Sequence, residues 1–182
     1  MSLDTSAVVE TARMTSPIGE LELVARDGAI SEIRLVEPAP PGDPAHEPSP
    51  APPGASPSER TALDGVLTAA RRQLAEYFAG RRRTFELPIA ADGTPFQRRV
   101  WRELAEVGYG QTATYAELAR AIGKPRAARA VGAALARNPV PVVVPCHRVI
   151  GATGDLRGFG LGGVSVKRSL LDAEAGVVRT RA

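Results

Sequence analysis

The sequence has few of the features that crosslink a protein, anchor it or bind metal. A single cysteine excludes an internal disulfide and any zinc site built from several cysteines. We therefore expect no metal, and the lack of a cofactor motif predicts no organic cofactor. An unpaired thiol fits a reducing compartment, the cytoplasm. No stretch approaches the roughly 20 consecutive apolar residues of a membrane span. The first ten residues carry two acids and no basic cluster, so we predict neither membrane association nor a secretory signal.

The chain also has no large excess of either charge, yet its charges are unevenly distributed. Its 182 residues include 23 Lys and Arg and 20 Asp and Glu, a net charge of +3. Residues 1–90 have a net charge of −4, whereas residues 91–182 have a net charge of +7. A basic half fits contact with a polyanion such as DNA, although a merely solvated basic surface would explain the charge equally well.

The first half predicts a small α+β domain, residues 1–90. Alternating apolar residues bounded by turn signals indicate an antiparallel sheet, and Asp27-Gly28 is typical of a hairpin turn. The three strands are expected at residues 8–14, 19–26 and 30–36.

A proline-rich segment interrupts this domain. Nine of the sixteen prolines lie between Pro38 and Pro57, so we expect residues 37–59 to form a flexible loop. Apolar residues at helical spacing follow, and Gly80 ends the predicted helix. A further short strand is expected at 84–90.

The second half, residues 91–182, predicts a mainly helical domain. Thr94 before a proline is typical of a helix start, and Thr114 opens a capping box. A turn at 123–125 then joins two short helices, the second at 126–137. Such a pair has the form of a helix-turn-helix, a pattern that is weak on its own.

The second helix of this pair is rich in alanine and glycine. Val131 and Leu135, four residues apart, would anchor it to a core. The small residues elsewhere permit close approach of another body, either a tightly packed neighbour or the wall of a DNA groove. A helix with so few large side chains would contact the DNA backbone and shape rather than base edges.

The segment around Cys146 carries the candidate chemistry. Residues 142–144 predict a short buried strand that Pro145 ends, with the cysteine at its mouth. A lone cysteine after an apolar strand is most often an inert buried thiol. Here, however, a histidine, basic groups and an asparagine surround it, a setting that lowers the pKa of a thiol and makes the thiolate available.

Several short motifs occur along the chain, and together, in this order, they indicate a protein family more specifically than any one of them alone. The central one is Pro-Cys-His-Arg-Val (145–149), with Asn-Pro (138–139) upstream. The others are Ser-Pro-Ile-Gly (16–19), Tyr-Phe-Ala-Gly (77–80), Phe-Gln-Arg-Arg-Val-Trp (96–101), Thr-Tyr (114–115), Ala-Arg-Ala-Val-Gly (128–132), and Lys167, Leu-Leu (170–171) and Glu174. Over nearly the whole chain they resemble the O6-alkylguanine-DNA alkyltransferases, also called methylated-DNA–protein-cysteine methyltransferases.

This resemblance implies an irreversible repair reaction and a role for each site residue. Cys146 would take the alkyl group from O6-alkylguanine, and from O4-alkylthymine, once per molecule. His147 would act as general base through a bridging water, and Glu174 would orient its imidazole. Asn138 would tie the recognition helix to the cysteine segment. Tyr115 would stand near the target phosphate and promote rotation of the nucleotide.

The resemblance also implies how DNA is bound. Arg129 would enter the base stack in place of the extruded guanine, with its helix in the minor groove. The other expected DNA contacts are Ala128, Ala130, Gly132 and Thr114, and the expected pocket residues are Val149, Phe159, Gly160 and Lys167. The partner would be double-stranded DNA bound by a monomer, with cooperative assembly along DNA left open. The glycine-rich segment 159–163 is one residue longer than the common family form, so the tolerated alkyl size stays open.

Two other functions compete with DNA repair as interpretations of the sequence. Alkyltransferase-like proteins bind the lesion without removing it, but they lack the cysteine that this chain has. A cysteine–histidine hydrolase uses the same residue types, but it gives the small-residue helix no purpose.

Overall fold

The computed structural model of the chain describes residues 9–38 and 57–180. Its elements, in order, are β1 (Val9–Ser16), β2 (Gly19–Arg26), β3 (Ala29–Val36), α1 (Pro57–Phe78), α2 (Pro95–Ala105), β4 (Ala113–Thr114), α3 (Tyr115–Ala121), α4 (Ala128–Leu135), a 3₁₀ helix (Cys146–Arg148), β5 (Val149–Ile150) and α5 (Gly163–Thr180). In these two ranges, no helix combines the length and the apolar character needed to cross a membrane.

The N-terminal sheet is the predicted antiparallel meander, in the order β1-β2-β3. Asp27 and Gly28 both have positive φ, 50° and 78°, as a two-residue hairpin turn requires. Helix α1 packs against this sheet, and the side chains of Leu21, Ile30 and Leu74 between them are fully buried. The three predicted strands are confirmed to within two residues at each end.

One prediction in this half is wrong at its edge, and another is wrong over most of its length. Residues 57–59 of the predicted loop belong to α1, because proline is well suited to the first turn of a helix, where an N–H has no intrahelical partner. Glu37 and Pro38 follow β3 without regular structure, and residues 39–56 of that loop lie outside the described residues.

The strand predicted at 84–90 is reduced to one isolated bridge between Ile89 and Ile30. Ile30 donates to the Pro88 carbonyl at 2.8 Å, and Ala90 donates to the Ile30 carbonyl at 2.9 Å. Pro88 has no N–H with which to continue the ladder, so the pairing stops there.

The C-terminal half contains the predicted helix-turn-helix, formed by α3 and α4. Thr94 and Thr114 each make the capping box expected at the start of α2 and α3. The Trp101 indole donates to the Ala134 carbonyl at 2.9 Å and so fixes α2 against α4. The buried apolar side chains of this second core include Val100, Leu104, Leu118, Ile122, Val131 and Leu135.

The strand predicted at 142–144 is wrong. Val142 has a φ of 74°, a left-handed conformation that a β-branched residue rarely adopts. The Val144 amide donates to the Val140 carbonyl at 2.9 Å and closes a turn instead of joining a sheet. Prolines at 139, 141 and 145 remove three donors that a strand would need.

This turn attaches the cysteine segment to the N-terminal sheet. The Ile33 amide of β3 donates to the Pro139 carbonyl at 2.8 Å. Val140, Val142, Leu161 and Leu170 of the second half pack in the same core as β2 and α1. The α+β architecture is confirmed, whereas the domain boundary at residue 90 stays a prediction.

Candidate active site

Cys146 lies at the first position of the 3₁₀ helix and borders a cavity of about 690 Å³. Its side chain is mostly buried, with 7% of the residue exposed. The cavity lies between α4 and the loop that follows β5. Seven residues predicted for the site line it: Tyr115, Ala128, Arg129, Gly132, Cys146, Phe159 and Gly160.

Asn138 holds the sulfur of the cysteine. Its amide nitrogen donates to the Cys146 Sγ at 3.1 Å and to the Val144 carbonyl at 2.8 Å. Its Oδ1 accepts from the Val140 amide at 3.1 Å. One side chain therefore fixes both the turn and the thiol.

The thiol is not activated at rest, contrary to the sequence-based expectation. Burial raises the pKa of Cys146 above its ordinary value, and the hydrogen bond from Asn138 and the charge of Lys167 only partly oppose this. The expectation was wrong because it counted the polar neighbours and not the loss of water around the sulfur. The resting cysteine is a neutral thiol that needs a base.

His147 and Glu174 form a buried pair beside it. The imidazole Nε2 lies 2.9 Å from the Glu174 Oε1, and both side chains are at most 1% exposed. A carboxylate can only accept, so Nε2 carries the proton and Nδ1 is left as an acceptor. Among the described residues Nδ1 has no hydrogen-bond partner. Burial lowers the pKa of His147 despite Glu174, so the ring is neutral near pH 7.

Glu174 is also bound from three other directions. Arg148 donates from Nη2 to Oε1 at 2.9 Å and from Nε to Oε2 at 3.0 Å. The Tyr77 hydroxyl donates to Oε1 at 2.7 Å, and the Gly110 amide donates to Oε2 at 2.8 Å. Burial alone would raise the pKa of Glu174, but the hydrogen bonds from His147 and Arg148 outweigh it and lower it to about 2.

Tyr115 presents a half-buried ring to the cavity. It begins α3, and a Cβ placed on Gly132 of α4 would lie 3.6 Å from its Cε1. Burial raises the pKa of Tyr115, and the charge of Arg157 only partly opposes this. Its hydroxyl is therefore protonated at neutral pH and can donate a hydrogen bond.

The domains matched by family models follow the two halves of the fold. Residues 11–91 match the model described as "6-O-methylguanine DNA methyltransferase, ribonuclease-like domain". Residues 95–176 match "6-O-methylguanine DNA methyltransferase, DNA binding domain". The chain belongs to the 6-O-methylguanine DNA methyltransferase family.

Curated relatives support this membership over most of the chain. A Mycolicibacterium paratuberculosis protein named methylated-DNA–protein-cysteine methyltransferase is 42% identical over 167 residues, which cover 92% of this chain and 93% of that protein. A constitutive Bacillus subtilis protein of the same name is 49% identical over 108 residues, 59% of this chain and 66% of that protein.

Solved structures agree with the fold. The crystal structure of Mycobacterium tuberculosis O6-methylguanine methyltransferase has a TM-score of 0.73 at 38% identity and covers 92% of this chain and 93% of that chain. A Mycobacterium tuberculosis OGT structure in complex with DNA has a TM-score of 0.74 at 38% identity, with the same coverage of both chains.

Not every residue predicted for this methyltransferase site lines the cavity. Lys167 is 1% exposed and donates to the Val149 carbonyl at 2.6 Å, so these two residues meet each other beside the cavity instead of lining it. Thr114 caps α3 by bonding Glu117, and Ala130 lies on the exposed face of α4.

The glycine-rich segment closes the cavity on the side of the histidine. The Phe159 ring packs edge-on to the His147 ring, with 6.3 Å between centroids. Gly162 and Gly163 have φ values of 77° and 76°, which only glycine adopts without strain. The Gly163 amide donates to the Phe159 carbonyl at 3.0 Å, so this pair forms the turn that positions the ring.

Three residues that the structure places at the candidate site were not predicted from the sequence. Tyr77 and Arg148 both contact Glu174, and Arg157 lines the cavity beside Tyr115. The first two stand inside motifs that carried the resemblance, so the signal was present. Arg157 gives no signal, because nothing in the sequence places its loop over the cavity.

Proposed function

We propose that this protein repairs DNA as a methylated-DNA–protein-cysteine methyltransferase that transfers the alkyl group of O6-alkylguanine to Cys146. Family membership and the names of the relatives support alkyl transfer, and the DNA complex of the Mycobacterium tuberculosis structure supports DNA as the partner. The observation that carries the proposal is a cysteine at the edge of a cavity, next to a buried His147–Glu174 pair whose Nδ1 is an acceptor.

The proton of the thiol has a defined destination. The neutral Cys146 passes it through a water to Nδ1 of His147, and the ionised Glu174 stabilises the imidazolium that forms. Because Glu174 is fixed by several donors, it can hold the ring in one tautomer throughout. Burial, which raises the pKa of the thiol, also makes the thiolate strongly nucleophilic once it has formed.

The transfer itself is an in-line displacement. A bond forms between Sγ and the alkyl carbon, the bond from that carbon to guanine O6 breaks, and its electron pair passes to the guanine. The Tyr115 hydroxyl and a backbone N–H near Gly160 are the candidate donors that stabilise the leaving base. The guanine anion takes up one proton, and His147 returns the proton of the thiol through water, so the reaction causes no net change of charge. The product is a thioether that cellular thiols cannot exchange, so one molecule repairs one lesion.

The target base reaches the cavity by rotation out of the duplex. Helix α4 would lie in the minor groove, where its small residues Ala128 and Gly132 allow close approach. Arg129 lines the cavity and would occupy the vacated position in the stack. We also propose that the protein repairs O4-alkylthymine and that it acts as a monomer in the cytoplasm.

Intact-mass analysis tests the proposal directly. Incubation with a duplex containing one O6-methylguanine should replace one hydrogen by one methyl group, mapped to Cys146, with at most one transfer per molecule. Cys146→Ser should bind the duplex and gain no mass. Binding by the wild type without a mass change would support the lesion-binding alternative, and neither binding nor mass change would support the hydrolase.

A further inference from the structure

The Tyr-Phe-Ala-Gly motif (77–80) of the N-terminal half has no role in the reaction as proposed so far. Tyr77 lies in the last turn of α1, is 4% exposed, and belongs to the part of the chain that matches the ribonuclease-like domain. Its ring packs among Phe78, Phe85 and Tyr109, with centroids 5.3 to 5.9 Å away. A phenylalanine would fill the same space, so packing alone does not explain the hydroxyl.

The hydroxyl of Tyr77 contacts both members of the His147–Glu174 pair, in which His147 is the proposed general base. It donates to the Glu174 Oε1 at 2.7 Å, the same oxygen that accepts from the His147 Nε2 at 2.9 Å. Its oxygen also lies 3.4 Å from the His147 Nε2. Because its own proton goes to Glu174, that oxygen faces the imidazole as an acceptor.

We propose that Tyr77 is a positioning residue for alkyl transfer, through which the N-terminal half holds Glu174 and keeps His147 in the neutral form that accepts the proton of Cys146. This inference rests on the proposed function. A donor on Oε1 draws charge away from the imidazole, so Glu174 stabilises the imidazolium less than an unshared carboxylate would. The acceptor oxygen near Nε2 keeps the proton on that nitrogen and leaves Nδ1 free to act.

The charged and titratable groups around His147 come from several elements. Glu174 and Lys167 face it from α5, Arg148 and Cys146 come from its own 3₁₀ helix, and Tyr77 comes from α1. Tyr109 and Arg148 in turn act on Tyr77. Removing one hydroxyl leaves all the other charges in place, so its effect on the imidazole can be measured alone.

Tyr77→Phe is the direct test, because it removes the hydroxyl and keeps the ring. The single-turnover rate on O6-methylguanine duplex, measured from pH 5 to 9, should fall severalfold on the acid side and recover at high pH. The acid limb of the pH–rate profile, where the rate falls as His147 becomes protonated, should shift to higher pH by about half a pH unit or more. The reason is that Oε1, no longer shared with Tyr77, stabilises the imidazolium and raises the pKa of His147. The same rise should be seen in an NMR titration of the His147 ring without DNA, assigned with His147→Asn.

Phe85→Leu is the matched control, because it loosens the packing around Tyr77 without touching a hydrogen bond. It should lower the melting temperature and leave the acid limb and the His147 titration unchanged. If Tyr77→Phe instead lowers the rate equally at every pH and the imidazole titrates as in the wild type, Tyr77 is only structural and the inference is overturned. A wild type that transfers no alkyl group would overturn the proposed function instead, while the NMR titration would still decide the coupling of Tyr77 to His147.

Discussion

Asn138 shows how one side chain can serve both the fold and the chemistry. Its amide nitrogen bonds the Cys146 Sγ, and its oxygen bonds the backbone of the turn that carries the cysteine. The hydrogen bond to sulfur favours the thiolate, so it opposes the effect of burial on the pKa. The two functions can be separated by experiment because they have different observables.

We expect Asn138→Ala to raise the pKa of the Cys146 thiol further and to slow alkyl transfer by about tenfold or more, since a hydrogen bond to a charged group is worth ~1.5–3 kcal/mol. The pH dependence of iodoacetamide alkylation measures the first effect, and single-turnover repair measures the second. Pro139→Ala, the next residue, should leave the alkylation midpoint unchanged. A lower melting temperature with an unchanged midpoint in Asn138→Ala would show that Asn138 acts on the turn alone.

The individual site residues were largely predictable from the sequence, because their types and order are chemically demanding. A cysteine, a histidine and an asparagine within ten residues indicated a nucleophile with its base, and the family resemblance added the distant glutamate. The state of the thiol was not predictable. Its pKa depends on how much water the fold removes, and burial outweighs the polar neighbours here. Arg148 was named as part of the cysteine motif but was not linked to Glu174, because that ion pair joins parts of the chain that are far apart in sequence.

At the scale of elements, α4 is tightly packed on one face and exposed on another, where contact with DNA stays a proposal. One face packs through Val131 and Ala134 in the second core, and the other leaves Arg129 and Ala130 exposed. Local sequence signals predicted this helix and the two capping boxes well. They failed at 142–144, where apolar β-branched residues indicated a strand but three prolines and a left-handed Val142 produce a turn.

Arg129→Ala tests the role of α4 in extrusion. Rotating a paired base out of a duplex costs a few kcal/mol, and a side chain that fills the gap repays part of it. We expect repair of a lesion in duplex DNA to slow by about tenfold, equivalent to ~1.4 kcal/mol. Repair of the same lesion in a single strand should change much less. Both rates are measured by single-turnover transfer.

Arg126→Ala is the matched control for this helix, because it removes an arginine just before α4 that does not line the cavity. It should weaken DNA binding in a salt-dependent way without changing the ratio of duplex to single-strand rates. Equal losses on both substrates in Arg129→Ala would mean that Arg129 only adds positive charge.

At the scale of the whole molecule, Glu174 joins segments that are distant in sequence. Its carboxylate accepts hydrogen bonds from Tyr77 of α1, Gly110 of the loop before β4, and His147 and Arg148 of the 3₁₀ helix. The family resemblance implied a pair with His147, but the wider network depends on how the two halves pack together. The same carboxylate therefore holds His147, the proposed general base, and connects the N-terminal core to the candidate active site.

This arrangement makes stability depend on pH in a direction that can be derived. The pKa of Glu174 is about 2 in the folded protein and 4.5 ordinarily, so its contribution is fully present above about pH 4.5 and is lost as the pH falls towards 2. Glu174→Gln lacks that contribution and leaves Arg148 unpaired, which should cost about 3–5 kcal/mol at neutral pH. The difference in melting temperature between the two proteins should therefore narrow as the pH falls below 4.5.

Melting temperatures at pH 7, 4.5 and 3 measure this difference, with Asp172→Asn as the matched control on the exposed face of α5. Burial lowers the pKa of His147, so protonation of this histidine in the unfolded chain below about pH 6.5 destabilises both the wild type and Glu174→Gln. The comparison therefore depends on the difference in melting temperature between these two proteins. Asp172→Asn should show almost no gap in melting temperature, because the side chain of Asp172 is exposed to solvent. A gap for Glu174→Gln that stays constant from pH 7 to 3 would mean that shape, and not ionisation, links the carboxylate to the rest of the molecule. In that case the charge of Glu174 would also be unavailable to stabilise the imidazolium during transfer.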